Sequence, residues 1–259
     1  MRITLTAAAA ALLISASAQA ASTNLPAQQS TITYSTNAGV TSGFGNYSRA
    51  TSTVVYDPVT NTYTIRDTGS LTTKSTFGPT GVPSGNFTVY TNSPTETFRV
   101  YNQSAIGLTY VDFGDWRRSS TSNGTTSVND TYLVWGAKTA RGDLPVSGSA
   151  TYSTIYDGNF VDKNGEHALT GAGGLTADFG AGTLNYAATI NGTPIGGLAF
   201  AGSGTINSRT AGFTTSDSTS GYTLSQFGNF YGPNAEEVGG LFRLTNGRTG
   251  NGEGAFVGN

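Results

Sequence analysis

The sequence predicts an all-β protein: a small N-terminal β-sheet domain followed by an eight-stranded antiparallel up-and-down β-barrel. Three observations lead there. No ten-residue stretch after the first twenty residues places apolar side chains at three- and four-residue spacing, so helical periodicity is missing. Short runs of alternating apolar and polar residues take its place, rich in Thr, Val, Tyr and Phe. Between those runs stand Asn-Gly and Asp-Gly pairs, which favour the positive-φ residues of tight hairpin turns.

Residues 1–20 read as a secretory signal peptide. Arg2 gives a positive start, residues 7–14 form an apolar run too short to span a bilayer, and Ala18-Gln19-Ala20 is a small-x-small cleavage site. No transmembrane helix is expected in the mature chain. With no Cys there is no disulfide and no lipid-acceptor residue, so stability must come from packing. The expected destination is extracellular or at the outer-membrane surface, with the periplasm crossed in transit and no lipid anchor.

Residues 21–142 form the first block. Thr53-Val54-Val55-Tyr56 and Thr62-Tyr63-Thr64-Ile65 flank Asp57-Pro58-Val59-Thr60-Asn61, a hairpin with turn formers in its loop. Residues 78–85, rich in Gly and Pro, read as a loop. Runs 87–90 and 97–101 read as strands. Residues 108–113 lead to Trp116 through an expected turn at Phe113-Gly114. Tyr132-Leu133-Val134-Trp135 returns after a polar, mobile loop at 119–130.

Residues 143–259 form the second block, with strands at 148–156, 166–179, 183–190, 197–206, 210–215, 222–230, 238–244 and 253–258. The turn pairs here are Asp157-Gly158, Asn164-Gly165, Asn191-Gly192, Asn246-Gly247 and Asn251-Gly252. Pro233 cannot donate to a ladder and stops the strand before it. After it, Asn234 is expected to cap a single helical turn, with Glu236 and Glu237 near its N-terminus. Glycines within the strands permit coiling, and closure into a barrel removes exposed edges.

Charge narrows the function. Thirteen Lys and Arg against fifteen Asp and Glu give −2, a field that draws neither nucleic acid nor anionic membrane. His167 is the only histidine and a candidate ligand for haem iron or a metal, with one of the 13 tyrosines the alternative haem ligand; the same position, at a strand start after a turn, also reads as an exposed strand residue. One His without Cys makes a metal centre unexpected. No Gly-x-Ser-x-Gly elbow accompanies it, so no catalytic residue is assigned and no enzyme is expected. Asp112 and Asp115 read as turn and rim residues rather than a glycosidase pair. Arg117-Arg118 beside Trp116 reads as a solvated edge, or as a platform for a planar anion.

Three phrases carry a resemblance. They are Leu144-Pro145-Val146-Ser147-Gly148-Ser149-Ala150-Thr151-Tyr152, then Gly174 to Leu184 around Ala177-Asp178-Phe179-Gly180-Ala181-Gly182-Thr183, then Tyr231-Gly232-Pro233-Asn234-Ala235-Glu236-Glu237. In that order they resemble the β-barrel domain of the transferrin-binding protein B family. The first block, through Thr109-Tyr110-Val111-Asp112-Phe113-Gly114-Asp115-Trp116 and Tyr132-Leu133-Val134-Trp135-Gly136, is similar to the handle domain of that family. The resemblance implies a single-lobe, monomeric, non-enzymatic binding protein of a Gram-negative bacterium. Its expected role is iron acquisition, with haem or a host iron-carrier protein as ligand and an outer-membrane translocator or receptor as a further partner. The alternatives are an integral outer-membrane β-barrel and a surface adhesin or structural protein.

Overall fold

The computed structural model describes residues 23–67, 73–193, 195–247 and 249–259; the expected signal peptide lies outside them. Nine strands make the first sheet: β1 (Thr23–Asn37), β2 (Val40–Asp57), β3 (Thr62–Asp67), β4 (Thr73–Phe77), β5 (Gly81–Ser84), β6 (Phe87–Ser93), β7 (Glu96–Tyr101), β8 (Val111–Ser122) and β9 (Thr125–Gly136). Their order is β4-β3-β2-β1-β9-β8-β7-β6-β5, an open half-barrel. Its curved face closes over Ile65, Phe77, Phe98, Trp116, Leu133 and Trp135. Phe98 is the hub, with ring centroids 5.3 Å from Phe77 and 5.9 Å from Trp135.

Several local expectations change here. Residues 119–130 are not a loop, because β8 and β9 stay paired out to Ser122↔Thr125 and leave only Asn123-Gly124 as a turn. Both turn residues have positive φ, the two-residue geometry that matches strand twist. Residues 78–85 include β5. No turn occurs at Phe113-Gly114: Gly114 lies inside β8, where a Cβ would strike the Arg99 carbonyl of β7. The long β1–β2 hairpin has no apolar alternation to announce it. Its strands meet their neighbours through hydroxyls and amides, as in Thr36 to Thr41 at 3.1 Å across the hairpin and Thr31 to Thr131 and Thr33 to Asn129, both at 2.9 Å, between β1 and β9.

After residues 137–148, eight strands close a barrel: β10 (Ser149–Asp162), β11 (Gly165–Asp178), β12 (Thr183–Gly192), β13 (Gly196–Asn207), β14 (Gly212–Thr219), β15 (Tyr222–Tyr231), β16 (Glu237–Asn246) and β17 (Gly250–Gly258). Closure runs from Thr154↔Gly258 to Asp162↔Gly250. All eight strands overlap the stretches expected from sequence, but β10 runs on to Asp162, β14 to Thr219, and β17 starts at Gly250. Along β12 burial alternates strictly, with Leu184, Tyr186, Ala188 and Ile190 inside. Phe160, Phe200, Phe230, Phe242 and Phe256 fill the interior, so the barrel holds a packed core.

Three expected turn pairs prove to be strand, Asn191-Gly192 being the last two residues of β12. Asp157-Gly158 lies within β10 and Asn251-Gly252 within β17, with Gly158 paired to Gly254. The reason is packing: the Phe242 ring lies over the Gly158–Gly254 pair, and a Cβ on Gly158 would come within 2.8 Å of it. The segment 232–236 is a turn without a helix. Asn234 does not cap; its N–H donates to the Glu236 carboxylate at 2.8 Å.

Candidate functional site: the sheet–barrel junction and its clefts

The period of two gives β8 and β9 two buried faces. Asp112, Gly114 and Trp116 point to the curved core, while Val111, Phe113 and Asp115 point at the barrel. The barrel answers with the outward residues of β10, β16 and β17. Val111, Phe113, Tyr132 and Val134 pack there with Leu241, Ala255 and Val257.

Glu237, at the start of β16, is 3% exposed. Its carboxylate accepts three consecutive backbone N–H groups from the sheet: Thr109 at 2.6 Å, Tyr110 at 2.8 Å and Val111 at 2.9 Å. A chain reversing before β8 presents these donors together, and a carboxylate is the acceptor able to take all three.

Farther along the junction lies a network of charges. Arg117 of β8 binds Glu166 of β11 through both terminal nitrogens, at 2.5 and 2.6 Å, and reaches Asp130 at 3.3 Å and the Tyr34 hydroxyl at 2.9 Å. Arg99 of β7 bridges Asp115 at 2.5 Å and Asp157 of β10 at 3.1 Å. Asn159 donates to both Asp130 and Glu166. Ser30 donates to Glu253 at 2.6 Å, and Arg243 stands 3.7 Å from the same carboxylate.

Around Arg99 and Arg117, two guanidiniums meet four carboxylates. Burial would raise Glu166, but hydrogen bonds from Arg117 and Tyr34 overcome it and hold the group below its ordinary value. For Asp157, burial outweighs the opposing Arg99 charge, and the carboxyl is pushed up to about 6. Asp115 and Asp130 are also raised, chiefly by burial, with Arg99 opposing at the first and the Asp115 charge adding at the second. These carboxylates are engaged by arginines, amides and hydroxyls. Their chemistry here is to fix two sheets against each other.

Three clefts flank this frame. One of about 510 Å³ opens between the sheet and the barrel, with Gln28, Thr51 and Lys138 on one side and Phe213, Phe227 and Asn229 on the other. A charged cleft of about 290 Å³ exposes Arg99, Arg117 and Glu166. A third, of about 460 Å³, opens on the sheet among Tyr63, Tyr90 and Asp112. The barrel's own connections contribute no long loops, since each has two to five residues. The described clefts therefore lie along strand faces and the sheet–barrel junction.

The sequence-level candidates scatter. His167 sits on β11 opposite Phe160, with its Nε2 3.2 Å from Asp162 Oδ1. Asp115 is buried in the junction rather than on a rim. Arg117 and Arg118 part company: Arg117 faces the barrel, and Arg118 lies over the Trp116 ring at 3.9 Å. Glu237 and Glu166 had no local signal for the role they play. Their partners are 126 to 128 and 49 residues away, and only folding brings them together.

No protein-family model matches the sequence. Two solved structures of transferrin-binding protein B from Haemophilus parasuis Hp5 are similar in fold. A single-substitution variant aligns at 15% identity and a TM-score of 0.54, covering 88% of this chain and 45% of that one. A double variant aligns at 18% identity and a TM-score of 0.52, covering 88% and 44%. The chain thus spans less than half the length of these neighbours. The likeness is one of fold, a curved sheet followed by a closed barrel.

Proposed function

We propose that this protein is a non-enzymatic binding protein of bacterial iron acquisition, working at the cell surface or outside it, with a host iron-carrier protein as its partner. The observation that carries this reading is the sheet-plus-barrel lobe, shared in fold with proteins named for binding transferrin. The junction supports it. Glu237 and the Arg117–Glu166 pair hold the clefts in fixed positions, so binding need not order them. The outward faces of β12 and β13 carry Thr183, Asn185, Thr189, Asn191, Ser203 and Thr205 beside Ala187, Ala199 and Ala201, a wall with small and polar side chains but no large apolar ones, which favours this reading over an integral outer-membrane barrel.

Export through the signal peptide and an outer-membrane translocator belongs to the same reading. Haem is the second iron source to test, with His167 as its ligand once the ring leaves Asp162. The experiment immobilises the protein without residues 1–20 and passes transferrin and haemoglobin over it, while a parallel titration with haem follows the Soret band. Capture of an iron carrier supports the proposal. A Soret shift abolished by His167→Ala moves the ligand to haem. Absence of both capture and shift overturns the iron reading.

A further inference from the structure

The curved face of the nine-stranded sheet contains a carboxylate with no basic partner among the described residues. Asp112 lies on β8 opposite Trp135. One of its oxygens accepts the Phe113 N–H at 2.9 Å; among the described residues no other group donates to it and no cation pairs with it. The acids of the sheet–barrel junction are treated differently: Asp115 has Arg99, Asp130 has Arg117, and Glu237 of the barrel has three backbone amides. Burial pushes the Asp112 carboxyl well above the ordinary range, and only the Phe113 N–H opposes it. An anion partly withdrawn from water without a counter-charge is costly, and a cation delivered to it recovers that cost.

The cleft of about 460 Å³ opens onto this group and includes Tyr63, Tyr90, Tyr101 and Gln103 in its walls. Tyr63 and Tyr90 meet edge to face with centroids 5.2 Å apart. Asp112 lines the same cleft as both rings, and their hydroxyls are raised first by burial and also by the Asp112 charge. Aromatic faces attract cations through their quadrupole. Gln103 donates its Nε2 to the Val111 carbonyl at 2.9 Å, leaving Oε1 as the end able to accept. An uncompensated carboxylate, tyrosine rings and an amide oxygen all select the same ligand chemistry.

We propose that this cleft binds an organic cation, a guanidinium or primary ammonium group, with Asp112 as counter-ion and Tyr63 and Tyr90 as ring surfaces. The volume lies within the usual range of small-molecule sites, about 300–1,000 Å³. The cation comes either from a free small molecule or from an arginine or lysine side chain of a partner protein. The site stands whether or not the iron reading holds.

The test titrates 15N-labelled protein lacking residues 1–20 with methylguanidinium, with a blocked Gly-Arg-Gly tripeptide, and with acetamide as a neutral control. The expected result is saturable amide shifts centred on Tyr63, Tyr90, Gln103 and Phe113 with both guanidinium probes and none with acetamide. Asp112→Asn weakens binding by about tenfold or more, the effect of removing one facing charge. Tyr63→Leu weakens it independently and carries the test if the Asn variant loses amide dispersion. Tighter binding of the tripeptide than of methylguanidinium assigns the cation to a protein partner; equal binding assigns it to a free solute. Absence of saturable shifts at those amides, or undiminished affinity in both folded variants, overturns the proposal.

Discussion

Arg117 closes both terminal nitrogens on Glu166, Nη1 to Oε1 at 2.5 Å and Nη2 to Oε2 at 2.6 Å, tying β8 of the sheet to β11 of the barrel. The planar fork fits a carboxylate in a way an ammonium cannot. Replacing Arg117 by Met leaves Glu166 and Asp130 without their cation. We expect a loss of about 2 kcal/mol, below the range for a fully buried pair because Arg117 retains solvent contact. Urea unfolding of Arg117→Met, Glu166→Gln and the double variant measures the coupling, and Arg117→Lys should recover only part of it.

Glu237 offers a separate test at the other end of the junction. In Glu237→Gln the side-chain amide turns a donor toward backbone donors and removes the charge that strengthens the contacts with Thr109, Tyr110 and Val111. Stability should fall by about 2–3 kcal/mol. Hydrogen exchange at those three amides should accelerate more than exchange in the centre of the barrel, and uniform acceleration would contradict a local role.

Acidity should act on the same junction with a definite sign. Asp115, Asp130 and Asp157 have folded values raised above those of the unfolded chain, the last to about 6. They remain protonated in the native state at pH values where the unfolded chain has already ionised them. Native stability therefore declines as pH rises from about 4 through about 7, the value to which Asp130 is raised. Glu166, held low, works the other way, and its contribution is lost as pH falls through its folded value. The expected outcome is a Tm higher near pH 5 than near pH 8, with Asp130→Asn flattening the alkaline decline.

A fourth expectation concerns the barrel wall. A Cβ on Gly254 would collide with the Phe242 ring and the Asp157 carbonyl, so Gly254→Ala should cost about 1–3 kcal/mol through overpacking. Gly142→Ala, where a Cβ meets nothing, is the control and should leave Tm unchanged within error.

The same glycines explain what the sequence could and could not reveal. Strict alternation in Leu184, Tyr186, Ala188 and Ile190 made β12 readable, because a barrel wall with one wet face imposes period two. Asp157-Gly158 imitated a turn because the glycine serves ring packing instead of chain reversal. The β1–β2 hairpin stayed hidden for the opposite reason. It turns at Ala38-Gly39, both at positive φ, which lacks the Asn-Gly signature. Its Gln28-Gln29-Ser30-Thr31 run carries no apolar period, since Ser30 faces the Glu253 carboxylate and Thr31 a hydroxyl of β9. The junction was unreadable on different grounds. Tyr34, Arg117 and Glu166 are each ordinary surface residues in sequence, and only tertiary placement gives them a shared desolvated role.

The shortness of the barrel connections has a use of its own. Ser220-Gly221 joins β14 to β15 across pairs running from Gly212↔Asn229 to Thr219↔Tyr222, and a Cβ on Gly221 meets no neighbour. A foreign epitope grafted there would be displayed from a stiff stalk whose wall packing it does not disturb, making the lobe a candidate carrier for engineered antigens.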